Sequence, residues 1–524
     1  VIRLLSFVPG VVMIALLVII PLLRMPSLQG GLFPPEESHY LTLVQRMADG
    51  HPLYAEAWHA GPPLLVWVHY FFYILFGNYA FLALRMLTCL YIWVSAIFFN
   101  GLIAQYKPFD RFPGLPALVL SFLLCIPWYS QELSTSMAII LPSLFALQAI
   151  LETGERKRRN LRLMFLAGIF MGIVIMIAYK GILIALGLAI TYLIIRRGSL
   201  DELISFLGGI LMFVFFVFLL LFIGGNLDDF WDVGVLYYLD RARLPLGGRY
   251  DYYAMTHLQS WLITAGLFMF FALTGWIHYR LRYYSYVAKI RTLEASMAVW
   301  LLAAVVLIGL KWNQIQLDDF ILLSVPATFY ICKSLEFKLI YRLRIFIFIL
   351  LFGFPLFQYR YYISHEIEEL AEDAPSSFWT GKNWQRLSNS LPIKDYLEEN
   401  PIEGGIWIMD YQPSLYAWLG HSCAVKYTDY RVSAYKIPLL TPSESPRLLA
   451  RKESDRAVFL QFLDSPPALI LDPQKQFSLF QERYPAIGRQ YESVSLETYP
   501  IYRRKNIPLS HEIRSNNISW QQLR

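Results

Sequence analysis

In a chain this apolar, an ionised side chain beside or within a hydrophobic run needs a reason, and four places raise the question. The stretch GLFPPEESHY (31–40) sets Glu36 and Glu37 directly behind two prolines. The prolines stiffen the chain there, and ESHYLTLVQRMADG reads as an amphipathic helix with Tyr40, Leu43, Val44 and Met47 on one stripe, so both acids fall at a helix N-terminus. Acids there either complement the helix dipole and cap free N–H groups, or face a cavity at the membrane rim as a base or cation site, and spacing leaves both open. Glu132, in PWYSQEL between two apolar runs, carries the same ambiguity. Lys180 interrupts a long apolar run, where a charge costs roughly 2.5–3.5 kcal/mol unless it pairs or snorkels. The fourth place is DFWDVGVLYYLDRARLPLGGRYDYY (229–253), which holds Arg241, Arg243, Arg249, Tyr252 and Tyr253. Solvated loop charges and interfacial aromatics are ordinary in such a loop, so binding roles there stay open.

The elements that must position these residues are membrane helices. Of 524 residues 56% are hydrophobic and 16% charged, and the mean hydropathy is +0.44, the profile of a polytopic α-helical membrane protein. The formal net charge of +6 gathers in short connections between apolar runs, where it sets topology, and no nucleic-acid function is read from it. Cys89, Cys125 and Cys332 lie in or beside apolar segments and Cys423 stands in the polar tail, so neither a disulfide framework nor a CxxC metal site is available. The run 4–23 reads as a retained anchor.

Apolar segments fall at about 4–23, 62–78, 79–102, 113–128, 132–151, 163–179, 181–195, 203–223, 258–278, 293–310, 318–333 and 339–358. If 62–78, which opens with Pro62-Pro63 and carries His69, is an interfacial or re-entrant helix, about 11 transmembrane helices remain and every basic loop falls on the cytoplasmic side. The outward material is then the first outer loop 24–78, the turn 128–132, the Tyr179-Lys180-Gly181 junction, the large outer loop 224–257, the turn 311–317 and everything after about 359. In that tail IWIMDY (406–411) and ALILDP (468–473) read as buried strands, and SVSLETYPIYRR alternates, so a transmembrane domain (1–358) is expected to precede a soluble α/β domain (359–524).

Three passages together carry a family resemblance: PPEESHYLTLVQRMADGHPLY followed by AGPPLLVW and FGNYAFLALR; AGIFMGIVIMIAYKG (167–181) followed by the 229–253 loop; and DDFILLSVP (318–326). In order and spacing they resemble the GT-C membrane glycosyltransferases of the protein O-mannosyltransferase and lipid A aminoarabinose transferase type. The resemblance implies a GT-C-like bundle with a C-terminal periplasmic α/β domain, in the bacterial cytoplasmic (inner) membrane. It also implies transfer of a sugar from a polyprenyl-phosphate donor to an acceptor hydroxyl on the outer face, the acceptor being a lipid, glycan or protein. Such a reaction needs a carboxylate to take the acceptor's proton and cations to stabilise the departing phosphate.

Carried over residue by residue, the resemblance gives Glu36 the position of the catalytic acid, with Glu37 beside it and Glu132 as a second acid. Tyr40, His59, Arg85, Lys180, Arg241, Arg243, Arg249, Tyr252 and Tyr253 become the substrate-binding set, with a lipid phosphate the expected partner of Lys180. No metal or cofactor is expected, although Glu36, Glu37, His39 and His59 are the residues that would gather around a divalent cation. The chain departs from the pattern in three places. The usual Asp is Glu36, the basic residue before Pro-Pro is Gly61, and the basic residue before the aromatic-Leu-Leu segment is absent from Gln316-Leu317-Asp318-Asp319. An alternative is therefore a catalytically degenerate GT-C-fold subunit of an envelope complex. A transporter fits less well, because no half-to-half repeat is visible.

Overall fold

A computed structural model describes residues 10–24, 35–105, 114–125, 133–153, 160–196, 199–237, 288–310, 317–335, 391–402, 404–408, 466–472, 488–495 and 500–505, with single positions at 416, 419, 421, 423, 424, 477 and 481. The expected spans 258–278 and 339–358 lie outside the described residues. Two compact units form: one from Val1–Gly31 and Ala60–Asn383, the other from Leu32–His59 and Trp384–Arg524.

The first unit is a helical bundle, and its chain is that of a polytopic helical membrane protein. Helices run over Gly10–Leu23, Leu64–Phe76, Ala80–Ala104, Leu115–Leu124, Leu161–Ile177, Gly181–Arg196, Leu200–Ile223 and Ala288–Leu310. Among the described residues three stretches are long and apolar enough to cross a membrane: Ala80–Ala104, Leu200–Ile223, and Thr135–Thr153 counted through one break. The 24-residue Leu200–Ile223 helix is about 36 Å long, and Leu211, Phe215 and Phe222 stand exposed on it, as lipid contact requires. The Leu64–Phe76 helix has 13 residues, about 20 Å, and so falls short of a full span. The segment expected as one helix over 318–333 instead opens as a 3₁₀ turn, Leu317–Leu323, before the helix Ser324–Leu335. Ser324 Oγ donates to Ile321 O at 2.6 Å where the two meet.

The Leu161–Ile177 and Leu200–Ile223 helices start on side-chain caps. Asn160 Oδ1 accepts the Leu163 N–H after the basic ERKRRN stretch, and Ser199 with Glu202 forms a capping box for the Leu200–Ile223 helix. The break at Ile139, between Thr135–Ala138 and Ile140–Thr153, leaves backbone groups that lipid cannot satisfy. Tyr91 satisfies them from the neighbouring helix: its hydroxyl donates to Ala138 O at 2.5 Å and accepts from Leu141 N at 3.0 Å.

The Leu161–Ile177 and Leu200–Ile223 helices pack closely along much of their length. A Cβ on Gly168 would lie 2.0 Å from Phe206 O, and one on Gly209 would lie 2.1 Å from Phe165 O. Two glycines facing each other let the backbones touch, the small-residue packing that suits membrane helices.

The second unit holds a four-stranded sheet, in the order β1-β2-β4-β3, with β1 Ile406–Ile408, β2 Leu469–Leu471, β3 Tyr491–Ser495 and β4 Pro500–Arg504. β1 and β2 pair in parallel, Ile406 opposite Leu469, and are buried at every residue, which is why the sequence there is continuously apolar. β4 runs antiparallel to both β2 and β3. Phe477 packs on Tyr502, ring centroids 4.5 Å apart, and Asp472 at the end of β2 accepts the Phe477 N–H at 2.6 Å. The Pro35–Ala48 helix belongs to this unit, with Leu43 and Val44 fully buried and Tyr40 5% exposed.

The glycine contact makes a sharp prediction. Gly209→Ala forces two backbones apart and is expected to destabilise the purified protein by at least about 1–3 kcal/mol, the usual cost of overpacking. Gly208→Ala, whose added Cβ would meet nothing nearer than the Phe165 ring at 3.8 Å, should leave stability unchanged or raise it by up to about 1 kcal/mol. Thermal unfolding in detergent distinguishes the pair.

Candidate functional site

The bundle places a cation at the meeting point of separate turns. Lys180 stands in the turn between the Leu161–Ile177 and Gly181–Arg196 helices and is 8% exposed. Its Nζ donates to Asp319 Oδ1 at 3.0 Å, in the 3₁₀ turn, and to Ser136 Oγ, in the short helix before the Ile139 break. Beside it, the Tyr179 hydroxyl donates to Gly234 O at 3.0 Å. Gly234 lies in a π-helix, Phe230–Tyr237, a wide turn often found at functional positions. Four segments, around 133–136, 178–181, 230–237 and 317–323, thus converge on Tyr179 and Lys180.

The charge of Lys180 is offset inside the protein by Asp319, which is 1% exposed. The resemblance makes a lipid phosphate the expected partner of Lys180, with Asp319 standing at the head of the DDFILLSVP segment beside a missing basic residue. The signal available was a carboxylate at the head of an apolar segment, which must be capped, solvated or paired.

The acids at the chain's front lie in the second unit. Glu36 falls in the first turn of the Pro35–Ala48 helix, and its side chain lies outside the described residues. Glu37 is 1% exposed. One turn on, His39 Nε2 and His59 Nδ1 are 3.4 Å apart, with the rings stacked at 28°, so one imidazole donates to the other. Tyr40 and Tyr54 flank His59 at 5.7 and 6.3 Å between ring centroids. Tyr54 adopts a positive φ of 70°, an uncommon conformation for a bulky residue that marks a tightly determined loop. This assembly brings two proton-holding rings and two phenols onto the helix that carries the paired acids. Among the described residues no three His, Cys, Asp or Glu side chains gather as a metal-ligand set.

Arg85 is fully buried in the Ala80–Ala104 helix, its guanidinium 5.7 Å from the Phe81 ring centroid, within cation–π range. Glu132, Arg241, Arg243, Arg249, Tyr252 and Tyr253 lie outside the described residues. Sequence reasoning passed over Ser136, Asp319, Tyr91 and Arg46, because each gains its meaning from a partner distant in the chain.

The fold of this chain is similar to that of solved membrane-protein structures of ArnT. The structure of ArnT from Cupriavidus metallidurans bound to undecaprenyl phosphate aligns with a TM-score of 0.55 and 15% identity, covering 95% of this chain and 98% of that one. ArnT in the apo state aligns at 0.53 and 15%, covering 93% and 97%. The Archaeoglobus fulgidus oligosaccharyltransferase in the apo form matches at 0.47 and 11%, covering 95% of this chain and 75% of that one. No family model and no curated protein sequence matches the chain.

The buried pair gives a second prediction. Lys180→Met or Asp319→Leu alone strands a charge and should cost about 3–5 kcal/mol. Lys180→Met combined with Asp319→Leu should recover most of that loss. A double-mutant cycle on thermal stability measures the coupling, and additive losses would show that the pair contributes nothing as a pair.

Proposed function

We propose that this protein transfers a sugar from a polyprenyl-phosphate donor to an acceptor hydroxyl on the outer face of a bacterial cytoplasmic membrane. The observation that carries the reading is the alignment of nearly the whole chain with ArnT bound to undecaprenyl phosphate. The convergence on Lys180 supports it, because 179–181 and 230–237 fall in material that the positive-inside count places outward, and 133–136 and 317–323 adjoin the outward turns 128–132 and 311–317. On this reading eleven helices span the membrane and the 359–524 tail faces the periplasm.

Glu36 serves as the base that draws the proton from the acceptor hydroxyl as it attacks the anomeric carbon, so that direct displacement inverts the configuration. Glu37 and Tyr40 position it, and His59, with His39, can hold a proton nearby. Glu132 is the second acid. Arg85, Lys180, Arg241, Arg243 and Arg249 supply the cationic side of the phosphate site, and Tyr252 and Tyr253 form a wall for sugar or isoprenoid. No metal enters these steps.

A second reading, a non-catalytic subunit of an envelope complex, is favoured by one observation: Lys180 already has a carboxylate partner in Asp319. Incubating the purified protein with a panel of polyprenyl-phosphate sugars and scoring polyprenyl phosphate release separates the two. Under the enzyme reading Glu36→Gln lowers turnover by about 10²–10⁴-fold and leaves donor binding nearly intact, while Glu36→Asp retains activity. Donor binding without transfer in all three forms would favour the subunit.

Topology gives an independent check. Single cysteines at Asn78→Cys and Pro401→Cys should both react with a membrane-impermeant maleimide from the outside. Labelling of either only from the cytoplasm would overturn the eleven-span arrangement.

A further inference from the structure

Arg46 is a full positive charge with 1% of its surface exposed, in a helix that its sequence marks as amphipathic. Among the described residues its hydrogen bonds run to two backbone carbonyls on different segments. Nη1 donates to Cys423 O, and Nη2 donates to Glu56 O at 3.1 Å. Tyr416 lies close by, its hydroxyl accepting the Ile408 N–H at 2.8 Å. Burial raises the Tyr416 hydroxyl well above the usual tyrosine range, so it stays a neutral phenol and is no counter-ion.

Each carbonyl belongs to a structure of its own. Glu56 lies in the turn after the helix, where His51 N donates to Arg46 O at 3.1 Å, Tyr54 N to Ala57 O at 2.7 Å and Ala57 N to Pro52 O at 2.9 Å. That turn delivers His59 to His39. Cys423 pairs with Ile406 as a parallel bridge, and Ala424 N donates to Ile406 O at 2.8 Å, so the 423–424 segment flanks β1 on the side away from β2. A planar guanidinium can bridge two such acceptors at once, whereas an ammonium head is a compact point donor.

We propose that Arg46 is a positioning residue that fastens the acid-bearing helix and its His59 turn to the edge of the C-terminal sheet, making the tail a working part of the site. The assignment of a chemical role to that helix rests on the function proposed above; the fastening does not. A segment displaced by about 1 Å can lower a rate on the order of 10²-fold, so the latch controls turnover without touching substrate.

Hydrogen exchange on the full-length protein in detergent, followed by mass spectrometry, tests it. In Arg46→Ala the amides of 51–57 and of 406 and 424 should lose protection together, by about tenfold or more, while β3 and β4 keep theirs. Arg46→Lys, which keeps the charge and the stem, should restore at most one of the two patches. With a polyprenyl-phosphate sugar as donor, Arg46→Lys should lower kcat by about 10²-fold at unchanged donor KM.

The proposal is overturned if both patches stay protected in Arg46→Ala, or if only the 51–57 turn loosens. It is also overturned if Arg46→Lys, the milder change, loses protection throughout β3 and β4, which would make Arg46 a general core residue. A wild-type protein that turns over no donor refutes the glycosyltransferase reading alone, because the exchange result stands or falls without it.

Discussion

A cation enclosed among apolar helices needs its counter-charge from the protein, and the bundle is arranged around that demand at Lys180. Asp319 reaches it from a 3₁₀ turn, and Ser136 from the short helix before the Ile139 break. Each irregularity exposes backbone groups that hydrocarbon would leave unsatisfied. The Tyr91 hydroxyl takes up those of the interruption, and Tyr179 ties down the π-helix at Gly234. Two of the bundle's departures from straight helix, the 3₁₀ turn and the Ile139 break, thus lie beside this one ion pair.

The second unit obeys a different constraint. Its sheet is small, with β1 and β2 three residues each, and so short an edge holds a neighbouring helix only weakly through side-chain packing. A charged fork to a backbone carbonyl is a more directional fastening, and it recruits a helix from the front of the chain. The same unit gathers Glu37, His39, Tyr40 and His59, so the residues richest in acid–base chemistry belong to the structural neighbourhood of the tail.

Hydropathy made the helices at 80–104, 161–177 and 200–223 legible, because a lipid-facing helix declares its length as uninterrupted apolar sequence. The paired strands at 406–408 and 469–471 were legible for a related reason, burial on both faces. The break at Ile139 has a local signal in Pro142, which lacks the N–H that would bond Ala138 O, whereas the group that takes up that carbonyl, Tyr91, lies on another helix. Lys180 announced itself as an anomaly in an apolar run. Asp319 did not, because two aspartates heading a segment look like ordinary end charges. Arg46 was hidden for the opposite reason: a basic residue in the last turn of an amphipathic helix suits both solvent and the dipole, and only its burial shows otherwise.

The contact between Gly168 and Gly209 bears on how the bundle can move. Two helices whose backbones touch cannot slide past each other without collision and have no intervening side chains to reorganise, so they travel as a single rigid body. Lys180 follows directly from the end of one of them and inherits that rigidity. The other side of its ion pair hangs from a seven-residue 3₁₀ turn, a conformation with poorer hydrogen-bond geometry and a lower cost of rearrangement. The two partners are therefore held unequally: the lysine by a close-packed helix pair, the aspartate by the less regular backbone.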